Sequence, residues 1–292
     1  MNVGAFEIQE PLPALQEPHA ISLLLPWVDA GSVGTLAMGK LESCMEAKEL
    51  GKLSKPGEFF DFTRYRPIVQ SVEDRRMITI PNSHIYYSNK ENAQDFLFLH
   101  LMEPHANAEE YIESIVQLLK DFGIKRYCRI GGIYSSVPHT RPLRVTGSPG
   151  TENMEALSGL VTPRRSSNYQ GPLSIMSLVG EELEKAGIET LSLMVHLPQY
   201  LDLEEDHSGE ARLLQVISAL YDLPRSIADP EPGRQQYMEI SDQVEGDSEI
   251  KELVGQLEDM YDERSNALAE GKQPPPLPPQ VDKFLREIDQ SF

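Results

Sequence analysis

Residues 124–142 read IKRYCRIGGIYSSVPHTRP. Residues 125–130 are strand-like and run into a glycine pair, Gly131 and Gly132. Small and hydroxylated residues follow, and then His139, Thr140 and Arg141 stand between Pro138 and Pro142. Glycines at the end of a buried strand let backbone amides approach whatever lies beyond, and prolines hold the next segment extended. In open α/β sheets the carboxyl ends of strands are where ligands and partners dock. The stretch therefore predicts a sheet strand and marks a functional rim at its end.

Working outward, the same grammar repeats. Residues 107–122 carry Tyr111, Ile112, Ile115, Val116, Leu118 and Leu119 at helical spacing, and Gly123 stops them. Residues 95–102, DFLFLHLM, form an apolar strand before that helix. Residues 21–25 form another, followed by the turn PWVDAG and a helix expected over 32–48. Residues 76–80 and 85–87 look like a hairpin turning at Pro81, Asn82 and Ser83. Downstream, the pattern gives a helix over 173–186, a strand over 188–196 and a helix over 208–221. Strand, helix, glycine, strand is the signature of βαβ crossovers and a largely parallel sheet covered on both faces. The fold class expected is a three-layer α/β/α sandwich.

Residues 1–228 are assigned to this domain and residues 229–292 to an acidic helical C-terminal extension. In the extension, residues 234–269 have helical spacing with an acidic outer face, interrupted at Gly246 and Asp247. QPPPLPPQ at 273–280 cannot be helix or central strand and reads as a stiff connector, and 281–288 is a short amphipathic piece.

The formal net charge is −20 over 292 residues, and half of that excess lies beyond residue 228. Nucleic-acid binding needs a basic face to displace phosphate counterions, so neither nucleic acid nor an anionic membrane surface is an expected partner. The two cysteines, Cys44 and Cys128, form no CxxC pair, which argues against a zinc site or a disulfide framework. With no basic-plus-apolar leader in residues 1–19, a cytoplasmic location is expected.

Four constellations carry potential chemistry. The first is PWVDAGSVG at 26–34, where Asp29, Gly31 and Gly34 precede a helix whose free amides favour an anion. It is neither a Walker loop nor GxGxxG, and a plain structural turn is the stronger reading. The second is the Gly131–Gly132 loop, where His139 and Arg141 supply a proton carrier and an anion clamp, or else pack against neighbours. The third is Gly171 within YQGP, just ahead of a helix. The fourth is HLPQY at 196–200, offering His196 and Tyr200 before the acidic cluster Asp202, Glu204, Glu205 and Asp206 with His207. That cluster lacks any metal-ligand spacing and reads as a solvated loop capping the next helix, so no metal and no cofactor is expected. No nucleophile elbow or catalytic triad is defined.

Taken in order, LLLPWVDAGSVG, GGIYSSVPHTRPLRVTG, YQGPLSIMSLVGEELEKAGI and HLPQYL resemble the proteasome assembly chaperone 2 family, in its bacterial branch. The resemblance covers residues 20 to about 225. It implies a phosphorylase/hydrolase-like fold, assembly as a homotrimer, and a role in protein assembly, as in the chaperones and activators among archaeal and eukaryotic relatives. Many relatives carry Pro-Gly-Pro-Gly in the first turn and Pro-His-Tyr after the last strand, where this chain has WVDAG and Pro198-Gln199-Tyr200. The chain ends Gln290-Ser291-Phe292, without the hydrophobic-tyrosine ending of relatives that dock on proteasome rings, so direct activation of that kind is not expected. Two classes of function remain. One is a protein-interaction role. The other is a small-molecule hydrolase or phosphorylase-like enzyme using the strand-end residues, and a cleft filled by side chains would speak against it.

Overall fold

The computed structural model describes residues 1–72, 75–91, 93–148, 157–163 and 173–269. An N-terminal ribbon of β1 (Asn2–Val3) and β2 (Phe6–Ile8) precedes the buried strand β3 (His19–Leu25). Helix α1 (Val33–Cys44) and strand β4 (Lys48–Leu53) follow, so the helix expected to reach residue 48 stops short and its last residues begin a strand. Strands β5 (Ile68–Val72), β6 (Arg75–Thr79), β7 (His84–Ser88) and β8 (Phe96–Met102) come next, then α2 (Ala108–Asp121) and β9 (Arg126–Ser135). The chain continues through β10 (Val145–Ser148), β11 (Val161–Pro163), α3 (Ile175–Lys185), β12 (Glu189–Pro198) and α4 (His207–Tyr221). It closes with α5 (Glu231–Glu245) and α6 (Ser248–Ala269); the proline-rich connector and the 281–288 piece lie outside the described residues.

Ten strands form one sheet in the order β1-β2-β4-β7-β8-β3-β9-β12-β10-β11. The centre, β8-β3-β9-β12, is parallel, as expected. Its flanks are antiparallel: β7 runs against β8 and β10 against β12. The sheet is therefore mixed rather than largely parallel. The expected hairpin is also re-paired. β6 joins β5 in a separate two-stranded sheet, whereas β7 pairs with β4 and β8.

Period-two alternation splits the core into two. Ala20, Leu24, Leu97, Leu99, Leu101 and Tyr127 face α2 and α3, where Tyr111, Ile115, Leu119, Val179 and Leu183 meet them. Ile21, Leu23, Phe96, Phe98, Cys128, Ile130, Leu193 and Val195 face α1 and α4. Each fully buried aliphatic or aromatic side chain contributes about 1.5–3 kcal/mol against its exposed state. Cys128 lies wholly inside, and burial pushes its thiol up to about 12, whereas Cys44 is partly accessible. No helix among the described residues is long and apolar enough to cross a membrane.

Candidate functional site

The glycine pair sits inside a strand, not past its end. β9 runs through Gly131 and Gly132 to Ser135, because the 28–30 segment lies directly on it. Gly132 N–H donates to the Val28 carbonyl at 2.8 Å, and Asp29 bridges to Gly132 in parallel. A Cβ on Gly131 would lie 2.1 Å from the Val28 oxygen, and one on Gly132 would lie 2.9 Å from the Ala30 oxygen. These glycines admit the chain's own backbone, not a ligand.

The first turn is filled in the same way. Asp29 Oδ1 accepts from the amides of Gly34 (2.6 Å) and Thr35 (3.2 Å), and its Oδ2 accepts from the Thr35 hydroxyl. The anion expected at the α1 N-terminus is thus the chain's own carboxylate, satisfying amides that helix ends leave free. Gly31 adopts φ +55°, and a Cβ there would press within 2.8 Å of the Asp206 Cβ. The Gly31 carbonyl accepts from Asp206 N–H at 2.8 Å.

His139 is 5% exposed. Its backbone N–H donates to the Tyr200 oxygen at 2.9 Å, and its ring Nδ1 pairs with the same hydroxyl. Its Nε2 meets Ser241 Oγ at 3.0 Å, and that hydroxyl donates onward to the Tyr237 carbonyl. These constraints assign a neutral ring: Tyr200 O–H donates to Nδ1, and Nε2–H donates to Ser241. Burial holds the His139 pKa below its ordinary value, and Glu258 offsets this in part. Every polar atom of the side chain is engaged, so no lone pair is free for a substrate proton.

Arg141 is held from α6. Its Nη1 reaches Glu258 at 3.0 Å, and its Nε and Nη2 fork onto Asp262 at 3.1 and 2.9 Å. Thr140 also donates to Glu258. Beside them Tyr200 packs against Leu253, Leu257 and Met260 of α6. Tyr237 of α5 stacks edge-on to His139 at 5.9 Å and donates to Asp206 Oδ2 at 2.7 Å. Asp206 is 1% exposed; its other oxygen caps α4 through Gly209 N–H at 2.7 Å. Burial raises its carboxyl, and the bonds from Gly209, Tyr237 and the Ser208 amide, with His207 nearby, partly counter that. The acidic cluster expected to be solvated therefore contains one buried carboxylate that joins α4, α5 and the first turn.

His196 lies on the sheet face opposite Val195, bonded to Thr146 Oγ1 (2.9 Å) and Ser135 Oγ (3.2 Å). Burial, with Arg144 and Arg264 nearby, lowers its pKa to about 4. Gly171 lies outside the described residues. The structure thus brings Asp29, Gly31, Gly34, Gly131 and Gly132 into one packed corner. It gathers His139, Arg141 and Tyr200 under α5 and α6, while His196 lies on the sheet face opposite Val195, near Arg144 and the α6 residue Arg264. Sequence reading took Asp206 for part of a solvated loop and missed Tyr237, Glu258 and Asp262. Their one visible trace was the acidic bias of the tail, and nothing local ties residue 141 to residue 262. Among the described residues no group of three or more His, Cys, Asp or Glu side chains could hold a metal ion.

Similar architectures are found in solved structures. A Corynebacterium glutamicum protein of unknown function is 23% identical, with 89% of this chain and 97% of that one covered and a TM-score of 0.78. A Mycobacterium tuberculosis protein of unknown function is 25% identical, with 91% and 92% covered and a TM-score of 0.77. PbaB of Pyrococcus furiosus, an archaeal proteasome activator, is 18% identical, with 84% and 100% covered and a TM-score of 0.62. A comparison with functionally curated proteins gives no match. Residues 23–244 match the PAC2 family model, a span running from β3 into α5, and the chain belongs to the PAC2 family.

Proposed function

We propose that this protein works through protein contacts, as a cytoplasmic homotrimeric assembly factor with a phosphorylase/hydrolase-like α/β/α build. One observation carries the reading: the polar residues at the strand ends are engaged by the chain's own α5 and α6. His139 is held by Tyr200 and Ser241, and Arg141 by Glu258 and Asp262. A hydrolase or phosphorylase-like role for this rim needs free groups there, and these have partners. PAC2 membership and the proteasome-linked name of PbaB point the same way.

Self-association is supported by the β5–β6 hairpin. Val69 and Ile78 pair across it at 55% and 60% exposure, and Ile68, Met77 and Ile80 are also about half exposed or more. A two-stranded sheet is marginal in water unless something packs on it. Light scattering on the purified full chain tests this. The expected mass is three times 32.8 kDa. A single-chain mass at micromolar concentration removes the trimer, and catalytic turnover of a phosphoester or nucleoside removes the non-enzymatic reading.

A further inference from the structure

The arginines under α6 fall into two groups. Arg141 has two carboxylates. Three residues along the chain, Arg144 has none: one of its Nη atoms donates to Ser265 Oγ at 3.3 Å, and its guanidinium lies 5.1 Å from the Tyr261 ring centre. Arg264, from the next turn of α6, makes no hydrogen bond or ion pair among the described residues, and its Nε is buried without a partner. The two guanidiniums are close enough for each charge to oppose the other. Both also act on His196, whose neutral ring adds no negative charge.

Two half-buried guanidiniums near one another, with no carboxylate partner among the described residues, are costly, because burial strengthens like-charge repulsion. This occurs in a chain of net charge −20, on a helix with carboxylates at Glu258, Asp259, Asp262 and Glu263. None of those four bonds Arg144 or Arg264. Apart from the Arg144–Ser265 bond, the guanidinium N–H groups of the two residues make no hydrogen bond among the described residues, and such planar forks match tetrahedral oxyanions. Ser265 places its hydroxyl beside Arg144, and Thr146 binds the neighbouring His196.

We propose that Arg144 and Arg264 form a binding site for a phosphate-type oxyanion, shared between the sheet and α6. Half of the site comes from β10's approach and half from the C-terminal helix, so the bound anion clasps α6 to the body. The site is independent of the self-association reading, and loss of either leaves the other standing.

The test is a titration of the full chain with inorganic phosphate, against sodium chloride at matched ionic strength and against succinate. The melting temperature and the ³¹P line width are followed. The expected result is a saturable rise and broadening with phosphate alone. Arg264→Gln and Arg144→Gln should each weaken binding at least tenfold, and Arg234→Gln, an exposed residue on α5, should leave it unchanged. Should Arg264→Gln fail to fold, Arg264→Lys keeps the charge but not the fork and should bind several-fold more weakly than the parent. A phosphate response no different from chloride overturns the proposal. So does saturable succinate binding without phosphate binding, or undiminished phosphate binding in the Gln variants or in Arg264→Lys.

Discussion

The strand-end rim and the β5–β6 hairpin make opposite use of their side chains. The rim is rich in His, Arg, Asp and Tyr, yet its polar groups are spent on one another across distant parts of the chain. The hairpin is built from Ile, Val and Met, residues that normally go inside, and presents them to solvent. Chemistry-bearing residues here hold the fold together, and core-type residues stay exposed. Residue type alone would expose the first region and bury the second.

Substitutions can break or sharpen that contrast. Gly131→Ala should cost the most, because its Cβ would fall 2.1 Å from the Val28 backbone oxygen. Overpacking against backbone predicts a loss of more than about 3 kcal/mol, read from urea unfolding. Acid should cost up to about 3 kcal/mol of stability through His196. Its folded pKa of about 4 lies below the ordinary histidine value of 6.5, so the unfolded chain takes up the proton first. Stability from this residue is whole above pH 6.5, falls as pH drops toward 4 and is level below that; His196→Gln should flatten this window in pH-dependent melts.

Tyr237→Phe should cost about 1–2 kcal/mol by leaving a buried Asp206 oxygen without its donor. Arg141→Gln should cost less than Tyr237→Phe, since its carboxylate partners are partly exposed and solvent screens the pair; chemical denaturation reads the difference. The double change Val69→Ser with Ile78→Ser should alter stability least, within about 0.5 kcal/mol, yet lower the mass seen by light scattering. If it instead destabilises the single chain as much as Tyr237→Phe does, the contrast between the two regions fails.

The central strands, helices α1 to α4 and the break at Gly246 were legible from apolar runs and helical spacing. Strand β4 was not, because KELGKL carries three charges and a glycine and shows little strand preference. β9 was read five residues short because glycine weakens any strand signal, and the reason for the pair lies in Val28, a hundred residues earlier. The hairpin register failed because Pro81 and Asn82 advertise a turn, while pairing is set by β5, whose IVQSV offers no clear alternation. The rim's location was visible, but its closure was not. Carboxylates at 258 and 262 look like an ordinary solvated helix face until the tertiary fold delivers Arg141 to them.

Cys128 sits at the centre of the parallel strands with its thiol held fully protonated, whereas Cys44 lies partly open at the end of α1. Alkylating reagents attack thiolate, so they should modify the two sulfurs on different clocks. Cys44 would report the intact molecule and Cys128 the moments when its central strands part. One unmodified chain thus carries both a reference and a gauge of its own breathing.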